Sequence, residues 1–121
     1  MVVVDSSGWI EFFTGGPKAK AFAAYLKDAE RIATPAVVLY EVYKKIKRER
    51  GESVARLCAA QLEKTRLIPL TADLALLAAD LSLEYSLPMA DSFVLATARM
   101  QQAQLITADA DFSTIPGVRV L

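Results

Sequence analysis

Short stretches with strand character alternate along this chain with longer stretches of helical spacing. That alternation limits the possible folds more than any single residue does. Residues 1–4, Glu30–Ala33, Arg66–Pro69, Leu105–Thr107 and Val118–Leu121 read as strands. Val2, Val3 and Val4 are unbroken and β-branched, as suits a strand covered on both faces. Residues 6–13 suit a short helix opened by Ser6 or Ser7 and broken by Gly15, Gly16 and Pro17. A second helix is expected from about Pro17 to Asp28. Thr34-Pro35 reads as an N-cap with proline at the first helical position, opening a helix that runs to Arg50 and stops at Gly51. Ser53–Thr65 is another helix, with Ser53 as its cap. Thr71-Ala72-Asp73 opens one with Leu74, Leu77, Ala78 and Leu81 on one face. The stretch Ala90–Gln102 is apolar nearly all round and is expected to be central and buried. Strands and helices in this order predict an α/β fold, an α/β/α sandwich around a mostly parallel sheet of about four or five short strands. With no linker, repeat or low-complexity segment, residues 1–121 read as a single domain.

Composition removes several chemistries. Histidine is absent, which excludes Ser-His-Asp and Cys-His catalysis and imidazole metal sites. Cys58 is the only cysteine, so an intramolecular disulfide and a cysteine-based zinc site are both excluded. Its alanine-rich surroundings mark it as a small core residue. Lysine plus arginine and aspartate plus glutamate both number 14, so any nucleic-acid surface must be a local patch. Apolar residues make up 54%, a surplus that a homodimer interface would absorb. No secretory segment precedes Asp5 and no apolar run approaches membrane-spanning length, so a cytoplasmic protein without membrane contact is expected.

The remaining ionisable chemistry lies in carboxylates, and some of them sit where surface acids do not belong. Asp5 ends the valine strand and Asp109 follows Leu105–Thr107, so each stands beyond a strand's carboxyl end, where sites form in parallel sheets. Glu41 is embedded among Val37, Val38, Leu39 and Val42. An ordinary alternative for it is a helix-face ion pair with Lys45, worth ~0.3–0.5 kcal/mol. Asp91 opens the most apolar helix, where a capping role competes with a site role. Asp111 shares a turn with Asp109, and an Asx-turn explains such residues often. Asp109 is favoured because it lies nearer the strand end, with Asp111 left as the other choice. Were these acids to converge, two carboxylates ~5 Å apart would repel by ~3 kcal/mol at an effective dielectric of 20. Either their pKa values rise or a hard cation sits among them, and all-oxygen ligation selects Mg²⁺ or Mn²⁺. Such an ion activates water for attack on a phosphodiester. Lys44, Lys45, Lys47, Arg48 and Arg50 follow Glu41 directly. They suit phosphate contact, although cations also favour a helix C-terminus for its own sake.

A strand ending in DSS, a glutamate in VVLYEV, the helix start ADSFVLATA and the strand end TADADF, in that order, resemble the PIN-domain ribonucleases, and most nearly the VapC-type toxins of toxin–antitoxin modules. The resemblance spans the chain and implies a PIN-like fold. It also implies that Asp5, Glu41, Asp91 and Asp109 form an acidic quartet, with Asp5 and Asp91 as the main direct ligands of Mg²⁺ (or Mn²⁺). Ser6 would orient Asp5 or a metal-bound water, and Thr107 would support Asp109. Asp111 leaves the fourth ligand's identity open. Lys44, Lys45, Lys47 and Arg48 would contact RNA. The implied partners are an RNA substrate, a second copy of the chain, and a cognate antitoxin whose arginine matches the carboxylates bidentately. The alternative is a PIN-like binding or scaffold protein without nuclease activity. A phosphorelay receiver domain is disfavoured, since Ser6 rather than an acid follows Asp5 and no lysine follows Lys64. A haloacid-dehalogenase-like phosphatase would need Asp-x-Asp after the first strand, where Asp5-Ser6-Ser7 stands.

Overall fold

In the computed structural model, which describes residues 1–121, Val2–Val4 forms β1, with Val3 and Val4 fully buried. β1 pairs in parallel with β4 (Gln104–Thr107), in the register Val3↔Leu105 and Val4↔Ile106, and β4 pairs in parallel with β5 (Val118–Val120). A second parallel pair joins β2 (Ala33–Pro35) to β3 (Arg66–Ile68). A single parallel bridge between Val2 and Ile32 links the two sheets. Across that bridge the strands run β3, β2, β1, β4, β5. The α/β sandwich with short parallel strands is thus as expected.

Parallel strands need crossovers, and α-helices supply all of them but the one from β4 to β5, which holds only the 3-10 turn Ala110–Phe112. α1 (Ser6–Thr14) and α2 (Ala19–Tyr25) connect β1 to β2, and α3 (Ala36–Arg50) and α4 (Glu52–Glu63) connect β2 to β3. α5 (Ala72–Tyr85) and α6 (Met89–Met100) bring the chain back to β4. Because such crossovers are right-handed, reversing direction moves α5 and α6 to the opposite face from α1–α4. Most helix packing follows this division, α1 meeting α2 and α3, α3 meeting α4, and α5 meeting α6, while α3 also touches α6 across it. α6 lies against β1, β2 and β4, and its residues Val94–Ala98 are all buried, as its all-round apolar sequence predicted. Val38, Val42 and Ile46 form the buried stripe of α3, and Cys58 is buried in α4. No helix is long and apolar enough to cross a membrane.

Several element boundaries differ from expectation. The cap of α1 is Asp5 itself, not Ser6 or Ser7; its carboxylate accepts from the Gly8 N–H. Thr34 does not cap α3. It is buried in β2, where its hydroxyl meets that of Thr65 at 2.5 Å, and Pro35 takes the cap position. β2 accordingly lies later than Glu30–Ala33, and Ala29–Arg31 form a 3-10 turn. α2 is shorter than Pro17–Asp28 at both ends, and Gly51 rather than Ser53 precedes α4. Thr71 caps α5 as expected, accepting from the Leu74 N–H. Gly8 permits the closest packing in this layer. A Cβ there would stand 2.6 Å from both the Phe22 ring and Val4, so only glycine lets α1 settle onto them.

Candidate active site

Strand order reverses direction between β1 and β4, and a crevice opens at the carboxyl ends of strands on either side of such a point. Asp5 stands at the end of β1 and Thr107 at the end of β4. Asp5 is 6% exposed, and its carboxylate is held by three donors. Its Oδ1 accepts from Ser7 Oγ at 2.6 Å and from the Gly8 N–H at 3.2 Å; its Oδ2 accepts from Thr107 Oγ1 at 2.6 Å. Burial raises the Asp5 pKa above the ordinary carboxylate range, and the Asp109 charge adds to this; the bonds from Ser7, Thr107 and Gly8 act in the opposite direction.

The other acids face the same crevice. Glu41, half-buried on α3, has its pKa raised by burial and by the charge of Asp5, while the Ser6 hydroxyl beside it opposes the shift. Asp91 lies in the first turn of α6 but caps nothing; Pro88 holds the cap position and Ser92 Oγ donates to the Met89 carbonyl. Burial, followed by the charges of Asp109, Asp5, Glu41 and Asp111, pushes Asp91 up to about 6. Asp109 begins a 3-10 turn at Ala110–Phe112, its Oδ1 accepting from the Asp111 N–H at 2.9 Å. Between the two acids of that turn, Asp109 acts on both Asp5 and Asp91, whereas exposed Asp111 is the weakest influence on Asp91 alone. The carboxylates form an open cup. They are close enough that neighbouring charges disfavour ionisation of Asp5, Glu41 and Asp91, yet no three stand at the separation that grips an ion. The donor set fits a hard divalent cation, being all carboxylate oxygen with no thiol or imidazole to attract a softer metal.

Positive charge borders the cup selectively. Lys44, Lys45 and Arg48 line a groove of about 390 Å³ together with Ser6, Ser7, Tyr40 and Glu41. Lys45 pairs with Glu49 at 3.8 Å, so the helix-face pair between Glu41 and Lys45 does not form. Lys47 turns toward α4, where it pairs with Glu52 at 3.6 Å and lies over the Tyr43 ring. Of the four basic residues expected at RNA, three therefore line the groove and Lys47 does not.

The hydroxyls beside the acids divide as follows. Ser7 holds Asp5, while Ser6 bears on Glu41. Thr107 does support Asp109, accepting from its backbone N–H at 3.0 Å, but it also donates to Asp5. Ser7 was legible in one respect only. A serine two residues after an N-cap aspartate is placed to turn back on it.

The PIN-domain family profile matches residues 2–118. None of the curated proteins matches. Among solved structures, a toxin–antitoxin complex from Klebsiella pneumoniae contains a chain 29% identical, with a TM-score of 0.83 over 99% of this chain and 97% of that one. VapC20 of Mycobacterium tuberculosis, a toxin that cleaves the sarcin–ricin loop, is 22% identical with a TM-score of 0.79 over 96% and 95% of the two chains. VapBC2 of Rickettsia felis, bound to a promoter DNA fragment, has a chain 15% identical with a TM-score of 0.76 over 100% and 98%.

Proposed function

The chain belongs to the PIN-domain family, and we propose that it is a metal-dependent endoribonuclease, the toxin of a type II toxin–antitoxin pair. What carries this reading is the gathering of Asp5, Glu41, Asp91 and Asp109 around one crevice beside Lys44, Lys45 and Arg48, near enough for their charges to act on Asp5, Glu41 and Asp91. Repulsion of that kind is relieved by a divalent cation. Asp5 and Asp91 would hold Mg²⁺ or Mn²⁺ most directly, with Glu41 and Asp109 completing the site. When bound, the ion supplies an activated water and charge neutralisation at the phosphate. Lys44, Lys45 and Arg48 attract the RNA backbone and orient it along α3.

The likeness to toxin–antitoxin complexes supports an antitoxin as physiological partner, and an arginine entering the acidic cup is the chemistry that would silence it. Exposed Leu76, Leu83 and Met89 leave apolar surface for a second copy of the chain. A cytoplasmic location, where RNA is abundant, belongs to the same proposal.

The test is cleavage of a broad labelled RNA pool by the antitoxin-free protein, with Mg²⁺ and then with EDTA. Cleavage that requires the ion is expected. Intact RNA under both conditions would favour a binding module on the same fold.

A further inference from the structure

Ser7 and Thr107 are wired alike. The Ser7 hydroxyl donates to Asp5 Oδ1 at 2.6 Å and accepts from the Ala108 N–H at 3.2 Å. The Thr107 hydroxyl donates to Asp5 Oδ2 at 2.6 Å and accepts from the Asp109 N–H at 3.0 Å. A backbone N–H can only donate, so each hydroxyl has its one proton directed to Asp5. The two oxygens of one carboxylate are thereby tied to two successive amides of the turn that carries Asp109. The residues joined lie about a hundred positions apart, at the carboxyl ends of β1 and β4, where sheet order reverses.

The bonds also ration what Asp5 can offer. A carboxylate has about four lone-pair sites. Oδ1 accepts from both Ser7 and Gly8 and is filled, while Oδ2 accepts only from Thr107. We propose that Ser7, acting with Thr107, is a positioning residue that locks Asp5 to the Asp109 turn and leaves a single oxygen, Oδ2, free to bind a cation. The proposal rests on the metal-site reading above. Ser7 touches neither ion nor substrate; it fixes the rotamer of a ligand and the spacing between two ligands, as outer-shell partners of metal sites do.

The experiment is Mn²⁺ titration of the metal-free protein by calorimetry, with electron paramagnetic resonance of the bound ion and a thermal melt of each variant. Ser7→Ala is expected to weaken Mn²⁺ binding by roughly 10–100-fold and to change the spectrum of the bound ion. Thr107→Val is expected to act likewise, and Thr107→Ser, which keeps the hydroxyl, to retain affinity. Ser7 is partly exposed, so its truncation tests the idea even if Thr107→Val fails to fold. Unchanged affinity in Ser7→Ala, with Mn²⁺ held normally by the parent chain, overturns the clamp alone. No Mn²⁺ binding by the parent chain overturns the metal-site reading and the clamp together.

Discussion

The Thr107 hydroxyl donates to Asp5 Oδ2 at 2.6 Å, joining side chains 102 positions apart in the sequence. The contact is possible because β1 and β4 pair in parallel with Val4 opposite Ile106, so the next residue of each strand reaches the same edge of the sheet. A buried carboxylate without donors would be costly. Here Ser7, Gly8 and Thr107 supply them, and the acid can stand where the crevice opens.

Asp5→Asn should lose RNA cleavage by more than the roughly 10–100-fold typical of an outer-shell change, because it removes the charge itself. The amide also presents an N–H to a hydroxyl that was donating, so one bond to Ser7 or Thr107 must reverse. Cleavage assays and circular dichroism on the same sample check this. Parent-level cleavage by a folded Asp5→Asn protein would refute the site.

Stability of the metal-free protein should rise as pH falls from 7 toward 4. Asp5, Glu41 and Asp91 all have folded-state pKa values above their unfolded ones, with Asp91 at about 6. Between those values the folded chain binds more protons than the unfolded chain, so unfolding becomes less favourable on acidification. The Asp91 share of the destabilisation is fully present well above pH 6 and vanishes below its ordinary value of 3.8, and Asp5 and Glu41 act in the same direction. Mn²⁺ should have the reverse dependence, raising the melting temperature more at pH 7.5 than at pH 5, because protons compete for the same oxygens. Melts across pH, with and without Mn²⁺, measure both slopes.

Glu41→Gln should stabilise the metal-free protein at pH 7 while removing cleavage, since it deletes one of the charges that raise Asp91. A thermal melt paired with an RNA assay separates the two effects. A melting temperature lower than the parent's would contradict the account of repulsion.

Among the basic residues, Lys44→Ala, Lys45→Ala and Arg48→Ala should each weaken RNA binding and lower the salt slope by about 0.7 for each phosphate no longer neutralised. Lys47→Ala should leave binding close to the parent's, because Lys47 is engaged with Glu52 and Tyr43 away from the groove. Fluorescence anisotropy with a labelled RNA at several salt concentrations distinguishes them.

Gly8→Ala should cost about 1–3 kcal/mol in denaturant unfolding, as overpacking does. The added Cβ would press on Phe22 and Val4, neither of which has room to retreat from the core. Full stability in this variant would mean that α1 can lift away from β1 freely.

Local pattern alone was enough for the alternation of strands and helices, the burial of α6 and the acids at strand ends. Burial of a helix is written in its own periodicity, and a strand that is β-branched and ends on an acid announces both its cover and its edge. Chain-local pattern does not decide between neighbours of equal propensity. Thr34 before Pro35 has the local pattern of a cap, but Thr65, 31 residues on, meets its hydroxyl in the sheet. Ser6 and Ser7 are chemically identical, and only the approach of the β4 end gave Ser7 to Asp5 and left Ser6 beside Glu41. Lys45 had glutamates at equal spacing on either side, Glu41 and Glu49, and pairs with Glu49. The residue types needed for an acidic cup were thus determined by the sequence itself. Which oxygen meets which hydroxyl, and which cations face the cup, was decided by strand pairing between segments that chain-local physics cannot bring together.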